Sequence, residues 1–558
     1  MLQCVYTAIA TIANRRGYSV SSSTEVAGLD WSPERLIPAF QSPDHLEIYN
    51  VGGASRDALL AITTLVGLIN RPQPKVYLIL GNDEEFWLKE VFSSIPQIFS
   101  PASKDNALDA LLDAYHTSVQ GLIVYDPNLD DSINIATMIA AQRNGVAVSP
   151  AQVQALQKKY NFSILADLRV HGWKSRLQAY QWAFENLRSG CSSHLVAGID
   201  FKNVNLRSFL VATRTFIYTL DSRNYLPDFN GLLHAERFSE RELMKQIFGS
   251  FQPGAVHLGW FMDESSGVKL ASQRGICILA TDHFANLEVW TSVQPTSRAP
   301  SISSPIAGID RPADETNTVY VSFTISDGDN LQYSQHRMKN IWRDDARGSI
   351  PIGWTISPSI MHVAPALAEY YRASATPNDE LIAGPSGAGY MFPSHWPPKH
   401  LDYFLQRTGQ QMQAMGITTL EVLDADCLKS SGLPLISHLS PSMIFSQDDR
   451  QKSFARTLRP FGLRGILSGA GKRKSDWKMI DDVPFYQNLG LAGSVSGTVG
   501  LIKNAVAKHA QRPLFLNVYI LAWNMTPSDL KRVVQQLDKG YEIVLPKTLL
   551  AMLAETMA

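Results

Sequence analysis

The sequence predicts a multi-domain α/β protein whose C-terminal part is a (β/α) barrel-like domain. The chain has 558 residues, more than one hydrophobic core usually organises, so we expect two or three domains. Short apolar segments alternate with helical patterns on both sides of a proline-rich stretch, which favours parallel sheets covered by helices. Hydrophobic residues make up 45% of the chain and charged residues 18%, which is typical of folded globular proteins.

The N-terminal half contains the first series of strands and helices. Short apolar segments predict buried strands, and amphipathic segments predict helices between them. Strands are expected at residues 75–80, 121–126, 193–200, 255–261 and 275–280, and helices at 84–92 and 132–142.

The clearest domain boundary is the segment 293–317, which holds four prolines with serines between them. Prolines at this density remove backbone donors and disfavour helix, so we predict an extended linker. A weaker boundary is predicted near Asn106. The predicted organisation is an N-terminal extension over 1–30, α/β domains over 31–105 and 106–292, the linker over 293–317 and a catalytic domain over 318–558.

The last 240 or so residues continue the alternation of strands and helices. Strands are predicted at 319–325, 352–356, 419–423, 464–467, 514–520 and 542–544, with helices at 363–374, 399–415, 498–509 and 527–538. Six or more such units in this length favour a (β/α) barrel. An open, doubly wound sheet is the competing architecture.

Charge and hydropathy exclude two classes of partner. A formal net charge of -1 gives no general attraction to nucleic acid. No stretch of about 20 apolar residues is present, so we expect no membrane span. The apolar N-terminal segment has its arginines after it, the wrong order for a signal peptide. We therefore expect a soluble protein, either cytoplasmic or exported with its signal removed, and the oligomeric state is left open.

The cysteines give no support for a metal centre. Cys4, Cys191, Cys277 and Cys427 lie far apart and form no CxxC pair, so neither a zinc site nor a disulfide framework is indicated. We expect no metal and no cofactor.

An acidic cluster follows the predicted strand 319–325. Asp327, Asp329 and Asn330 come directly after it, where the active sites of parallel α/β folds lie. Two carboxylates this close repel each other's charge, which raises at least one pKa and provides an acid at neutral pH. The alternative is a helix cap and turn, which favours the same residue types.

A second acidic cluster ends the predicted strand 419–423. Asp424 and Asp426 lie at its carboxyl end, where a catalytic carboxylate is expected. Glu421 lies within the strand, where burial is costly unless the side chain is paired. Capping is again the alternative. We predict Asp329 and Asp424 as the leading catalytic pair, with Asp327 and Asp426 as supporting members.

A glycine-rich segment lies between the two clusters. Gly387 and Gly389 allow close approach of a ligand or of neighbouring backbone, and no Lys-Ser/Thr follows them as in a phosphate loop. Tyr390, His395 and Trp396 can stack on a sugar or hydrogen-bond to it. Trp260, Trp354 and Trp523 are further candidate sugar platforms, although a buried tryptophan is more often part of the core.

The segment Gly387-Ala388-Gly389-Tyr390-Met391-Phe392-Pro393 resembles the signature of the GxGYxYP glycoside hydrolase family, with Phe392 in place of the second tyrosine. Residues 326–330 resemble the upstream acidic motif of that family. Gly259-Trp260 with Glu264, and Asp282 with Asn286, are similar to its interdomain segment. The resemblance implies sugar chemistry and a catalytic or supporting role for Glu264.

These observations predict a glycoside hydrolase that uses one carboxylic acid to protonate the leaving oxygen and a second carboxylate as nucleophile or base. Its partner is an oligo- or polysaccharide, bound through Asn330, Gly387, Gly389, Tyr390, His395, Trp396 and Trp260. The alternatives are a non-catalytic glycan-binding protein and a polysaccharide deacetylase. The deacetylase is less favoured because no His-xxx-His pair follows Asp329.

Overall fold

The structure is a computed structural model that describes residues 25–223, 235–295, 317–424 and 445–556. Residues 296–316 of the predicted linker, the predicted extension up to residue 24 and the predicted site residue Asp426 lie outside these ranges. Within the described ranges, no helix is long and apolar enough to cross a membrane.

The described residues before 296 form three separate parallel sheets. Two of them have three strands, in the orders β2-β1-β3 and β5-β4-β6, and the third has four, in the order β10-β9-β7-β8. The strands are β1 (Leu46–Asn50), β2 (Val76–Ile79), β3 (Gln97–Phe99), β4 (Gly121–Val124), β5 (Gly145–Val148), β6 (Ile164–Asp167), β7 (Leu195–Gly198), β8 (Phe216–Tyr218), β9 (Val256–Gly259) and β10 (Cys277–Leu279). The range 106–292, predicted as one domain, thus holds two of these sheets.

Helices connect and cover these strands, as parallel pairing requires. They span Arg56–Ile69, Asn82–Glu90, Ala107–Tyr115, Ser132–Arg143, Pro150–Tyr160, Arg176–Leu187, Arg207–Ala212, Ala235–Gly249, Glu264–Ser272 and Leu287–Ser292. The mixed α/β fold predicted from the alternating pattern is confirmed.

The C-terminal region is built around a closed barrel of seven parallel strands. They are β11 (Val319–Ile325), β12 (Ile352–Ile356), β13 (Asp379–Ala383), β14 (Thr419–Val422), β15 (Gly465–Lys472), β17 (Val483–Ala492) and β18 (Leu514–Ile520). The order is β12-β13-β14-β15-β17-β18-β11, and pairing of β12 with β11 closes the ring. The sheet is therefore a closed barrel and not the competing open sheet.

Two further strands lie outside the ring. β16 (Trp477–Ile480) pairs antiparallel with β17, and β19 (Tyr541–Ile543) pairs with β11. The helices of this region span Leu331–Gln335, Arg337–Trp342, Ile360–Val363, Pro365–Ala373, Pro398–Met415, Asp448–Leu458, Val495–Ala507, Pro527–Val534 and Pro546–Glu555.

The interior of the barrel is apolar at one end and polar at the other. Its amino-terminal end is closed by the helix Pro546–Glu555, whose leucines pack against interior side chains from five strands: Tyr320, Ile382, Leu467, Tyr486 and Phe515. Nearer the carboxyl end, Ser322 Oγ donates to Asn517 Oδ1 at 2.6 Å, and Asn517 Nδ2 donates to Asn488 Oδ1 at 2.7 Å. The carboxyl end therefore offers polar side chains to a site at its mouth.

The third N-terminal sheet is joined directly to the barrel. Ile278 in β10 forms an antiparallel bridge with Tyr390, with N–H to oxygen distances of 2.9 and 2.8 Å. Ala280 forms a parallel bridge with Asn330. Both contacts involve loops that follow barrel strands, so the third sheet lies against the carboxyl end of the barrel.

Candidate active site

The turn after β11 carries the first two acidic side chains to the mouth of the barrel. The Gly328 N–H donates to Thr355 Oγ1 at 2.8 Å, and a Cβ at Gly328 would collide with the backbone of Thr355. The turn therefore needs glycine at this position to lie against β12. Asp327 precedes it with a φ of 74°, a left-handed conformation uncommon for a non-glycine residue.

Asp327 is held by two hydrogen-bond donors. Ser326 Oγ donates to its Oδ1 at 3.1 Å, and the indole Nε1 of Trp523 donates to its Oδ2. Burial raises the pKa of Asp327, while the Trp523 and Ser326 donors act in the opposite direction. The side chain is half-buried and keeps contact with solvent. Its left-handed backbone and its two donors together fix the direction of the carboxylate.

Of the two aspartates in this turn, Asp329 has the more strongly raised pKa. Burial raises the pKa of Asp329 well above its ordinary value, and the charges of Asp327, Glu264 and Glu421 raise it further, in that order. The residue is half-buried, so part of it meets solvent at the mouth of the barrel. Asp329 therefore keeps its proton to higher pH than an ordinary aspartate does.

Glu264 reaches the site from the third N-terminal sheet. It lies in the first turn of the helix Glu264–Ser272, which follows β9. The Tyr390 hydroxyl donates to Glu264 Oε1 at 2.8 Å. Burial raises the pKa of Glu264, the Tyr390 hydrogen bond lowers it, and the charge of Asp327 raises it. The cluster thus combines carboxylates from two parts of the fold.

Glu421 lies inside the barrel below this turn. It is in the middle of β14 and has no exposed surface. Burial raises its pKa to about 8, the Tyr519 hydroxyl acts to lower it, and the charge of Asp327 raises it. Sequence analysis noted the cost of burying this residue but did not place it in the site, and nothing in the sequence indicated Tyr519.

The glycine-rich signature segment forms the joint between the barrel and the third sheet. A Cβ on Gly389 would lie 3.1 Å from Cys277 Cβ and from the Ile278 carbonyl oxygen, so the segment needs glycine to approach β10. The space beside Gly387 is occupied by the Thr408 side chain. Both glycines are buried against protein, whereas the Tyr390 hydroxyl reaches the acidic cluster.

The aromatic side chains named from the sequence lie in different environments. Trp396 is buried, with its ring centroid 4.9 Å from that of Phe404 in the core. Trp260 is half-buried and stacks on Tyr390 at 6.2 Å with an interplanar angle of 11°. Trp523 is 48% exposed beside Asp327. Trp260 and Trp523, but not Trp396, therefore lie beside the acidic cluster.

The remaining predicted polar residues contact other protein groups. Asp424 Oδ1 accepts hydrogen bonds from Ser394 Oγ at 2.7 Å and from Ser394 N at 3.3 Å. Asn330 Oδ1 accepts from Tyr333 N at 3.2 Å and caps the helix Leu331–Gln335. His395 is half-buried near the Phe392 ring, with centroids 6.5 Å apart. The charges that act on Asp329 come from Asp327, Glu264 and Glu421.

The interdomain residues named from the resemblance connect parts of the fold. Asn286 Oδ1 accepts from Leu78 N, and Asn286 Nδ2 donates to Leu78 O, both at 2.9 Å. Asp282 Oδ1 accepts from Gln332 Nε2 at 2.8 Å. Among the described side chains, no group of three or more histidines, cysteines or carboxylates is arranged to hold a metal ion.

The fold and the cluster define a class of multi-domain α/β protein with an acidic site at the carboxyl end of a closed parallel barrel. This chain belongs to the GxGYxYP family. It matches the model "GxGYxYP putative glycoside hydrolase C-terminal domain" over residues 317–554, the second-domain model over 119–191 and the third-domain model over 194–292. The family resemblance drawn from the signature segment is confirmed.

Solved structures extend the comparison. A protein described as a putative hydrolase from Bacteroides thetaiotaomicron VPI-5482 has a TM-score of 0.74 at 22% identity, covering 95% of this chain and 99% of that chain, which shows a shared fold. Two further structures have TM-scores of 0.28, too low to show a shared fold. One is a 4-alpha-glucanotransferase from Thermococcus litoralis, at 8% identity over 42% of this chain and 40% of that chain. The other is a putative polysaccharide deacetylase from Mycobacterium smegmatis, at 11% identity over 47% of this chain and 94% of that chain. No curated protein matches the chain.

Proposed function

We propose that this protein is a glycoside hydrolase in which Asp329 is the general acid and Glu264 is the carboxylate partner. The observation that carries the proposal is the unequal environment of these two side chains. Burial and the charges of neighbouring carboxylates raise the pKa of Asp329 well above its ordinary value, whereas the Tyr390 hydroxyl, which donates to Glu264, opposes the burial that raises the pKa of Glu264. Environments that push two carboxyl pKa values apart are typical of an acid and base pair.

Asp329 would protonate the glycosidic oxygen as the bond to the leaving group breaks. It needs to carry a proton when the substrate is bound, and burial together with the charge of Asp327 favours that state by raising the pKa of Asp329. Asp327 then serves the reaction through its charge, which its hydrogen bonds from Trp523 and Ser326 help to maintain.

Glu264 would attack the anomeric carbon or accept a proton from the attacking water. Because it comes from the third sheet and Asp329 comes from the barrel, the two groups approach the sugar from different parts of the fold. The family description as glycoside hydrolases supports this chemistry. The alternation of helices with the seven strands supports a (β/α)-type barrel, whose active sites lie at the same end.

Trp523 is proposed as a platform for the sugar ring. Its indole N–H is bonded to Asp327 while 48% of the side chain is exposed, so the open ring surface lies beside the acidic cluster. Aromatic rings offer a large apolar face together with a polar edge, which suits the face of a pyranose ring. Trp260, stacked on Tyr390, is a second aromatic surface near Glu264.

The test is release of reducing ends from a panel of oligo- and polysaccharides. Asp329→Asn should lower turnover by about 100- to 10,000-fold while the fold and glycan affinity persist. Asp424→Asn decides between the two pairings: a similar loss there would restore Asp424 as the partner predicted from the sequence. Binding without hydrolysis of any glycan by the wild type would reject the proposal in favour of a glycan-binding protein.

A further inference from the structure

The helix Leu331–Gln335, which follows the acidic turn after β11, is attached to two other parts of the fold. Gln335 Oε1 accepts from Ala285 N at 2.9 Å, and Gln335 Nε2 donates to Ala285 O at 3.1 Å, in the loop after β10. The Trp87 indole, on the helix Asn82–Glu90 that follows β2, donates to the Gln335 carbonyl at 2.8 Å. The barrel, the third sheet and the sheet β2-β1-β3 therefore meet at this junction.

His336, the next residue, bridges the two N-terminal parts of the junction. Its Nδ1 lies 2.6 Å from Asp83 Oδ2, in the first turn of the helix Asn82–Glu90. Its Nε2 lies 3.0 Å from the His283 carbonyl oxygen, in the loop after β10. Each ring nitrogen thus faces an oxygen atom from a different sheet region, and the side chain itself belongs to the barrel.

This geometry requires both ring nitrogens of His336 to donate. A backbone carbonyl oxygen only accepts hydrogen bonds, and so does an ionised carboxylate. A neutral imidazole carries one N–H group and would satisfy one of the two contacts, whereas an imidazolium satisfies both. The ring is therefore protonated in this arrangement if Asp83 is ionised.

Asp83 is held in its ionised form by two donors. Lys339, whose side chain is 6% exposed, donates to Oδ1, while His336 donates to Oδ2. Burial raises the pKa of Asp83, but the hydrogen bonds from His336 and Lys339 outweigh it, and the pKa is lowered. The carboxylate thus accepts on both oxygens, which leaves the imidazolium as the form of His336 that fits.

The charges of the junction favour the same form. Besides His336 and Asp83, its titratable groups are Glu84 on the helix Asn82–Glu90, Asp282 and His283 after β10, Arg337 and Lys339 after the ring, and Tyr371 on the helix Pro365–Ala373. Burial lowers the pKa of His336, and its hydrogen bonds to Asp83 and the His283 carbonyl raise it. The charges of Asp83 and Glu84 raise it further, so the net shift is upward.

We propose that His336 is a pH-dependent link that holds the barrel to the sheet β2-β1-β3 and to the third sheet while its imidazole carries two N–H groups. Loss of one proton removes a donor, so one of the two oxygen atoms loses its hydrogen bond and the junction loosens. The link stands independently of the glycoside hydrolase proposal, because it rests on contacts outside the acidic cluster.

The direction of the pH effect follows from the raised pKa of His336. An ordinary histidine has a pKa of about 6.5, which applies to the unfolded chain. The stabilisation from the protonated ring is fully present below that pH and is lost as the pH rises through the higher pKa of the folded protein. The junction should therefore be tighter at mildly acidic than at alkaline pH.

Hydrogen exchange of the full chain tests the link where it acts. In the wild type, protection of the helices Asn82–Glu90 and Arg337–Trp342, corrected for the intrinsic effect of pH, should fall severalfold between about pH 6 and about pH 9. His336→Gln should start with lower protection and show little further loss. The matched control is His116→Gln, because His116 Nδ1 contacts only the Leu112 carbonyl of the helix before it, at 3.1 Å, among the hydrogen bonds of the described residues. Parallel losses in the wild type and His336→Gln would overturn the inference.

NMR of isotope-labelled histidine nitrogens gives a direct readout of the ring. The His336 signals, identified by their absence in His336→Gln, should show two protonated nitrogens at about pH 6 and titrate above about 6.5. Asp83→Asn should move this titration to lower pH, because it removes the facing charge. A wild-type ring with a single N–H at about pH 6, or one that titrates below the ordinary value, would sink the inference.

Discussion

Replacing Tyr390 with phenylalanine should weaken the enzyme most at acidic pH. The change removes one hydroxyl, which donates to Glu264 Oε1 at 2.8 Å. Because this hydrogen bond lowers the pKa of Glu264, its loss raises that pKa and moves protonation of the carboxylate to higher pH. The acidic limb of kcat/KM should therefore move to higher pH, and the rates should converge above it.

The magnitude follows from the kind of hydrogen bond. A bond to a charged group contributes about 1.5–3 kcal/mol, and we take the lower end because Glu264 is only half-buried and partly screened by solvent. Since about 1.4 kcal/mol corresponds to a factor of ten, the ratio of ionised to protonated Glu264 should fall about tenfold at a given pH. Activity on the acidic limb should fall by a similar factor.

The assay is a pH profile of glycan hydrolysis for the wild type, Tyr390→Phe and a matched control, Tyr486→Phe. The Tyr486 hydroxyl is also buried but donates to the Phe515 carbonyl at 3.0 Å, away from the carboxylates. Both variants should lose stability, and only Tyr390→Phe should move the acidic limb. Identical profiles for the two variants would refute the role of Glu264 as the ionised partner.

Two further predictions concern the mouth of the barrel and the joint. Trp523→Phe keeps an aromatic ring but removes the indole donor to Asp327, so the pKa of Asp327 should rise, which a carboxyl titration followed by NMR would measure. An unchanged pKa of Asp327 in this variant would argue against the role of Trp523 as its donor. Gly389→Val should lower soluble yield and the urea midpoint, because its Cβ would press on Cys277 and the Ile278 backbone, whereas Gly540→Val, with open space around it, should be tolerated.

Three strands of the barrel were predicted with the correct bounds. β11, β12 and β18 span the predicted residues, since each is buried along its whole length. β13 was missed because it begins with Asp379 and Glu380, which argue against a buried strand when read alone. In the structure Asp379 accepts from Trp354 Nε1 at 2.9 Å and pairs with Arg347 at 2.6 Å. Partners from distant segments make these carboxylates compatible with burial.

Contacts between distant segments also limited what the sequence could predict about the site. The position of Asp327 and Asp329 at a strand end is a local property, so the sequence could indicate it, and the resemblance to a family indicated Glu264. The contacts of Asp424 with Ser394, and the place of Glu421 next to Tyr519, depend on how strands separated by 30 to almost 100 residues meet around the barrel. No local pattern carries that information.

The structure shows that the signature segment connects the barrel to the third N-terminal sheet. As a sequence, its glycines suggest a loop that approaches a ligand, but Gly389 instead allows the backbone to pair with β10 through Tyr390 and Ile278. That pairing brings the Tyr390 hydroxyl to Glu264. In the proposed mechanism the acid comes from the barrel and its partner from the third sheet. The signature would therefore serve catalysis by fixing how two domains meet, and Phe392, buried beside Tyr390, can lack a hydroxyl without removing the link to Glu264.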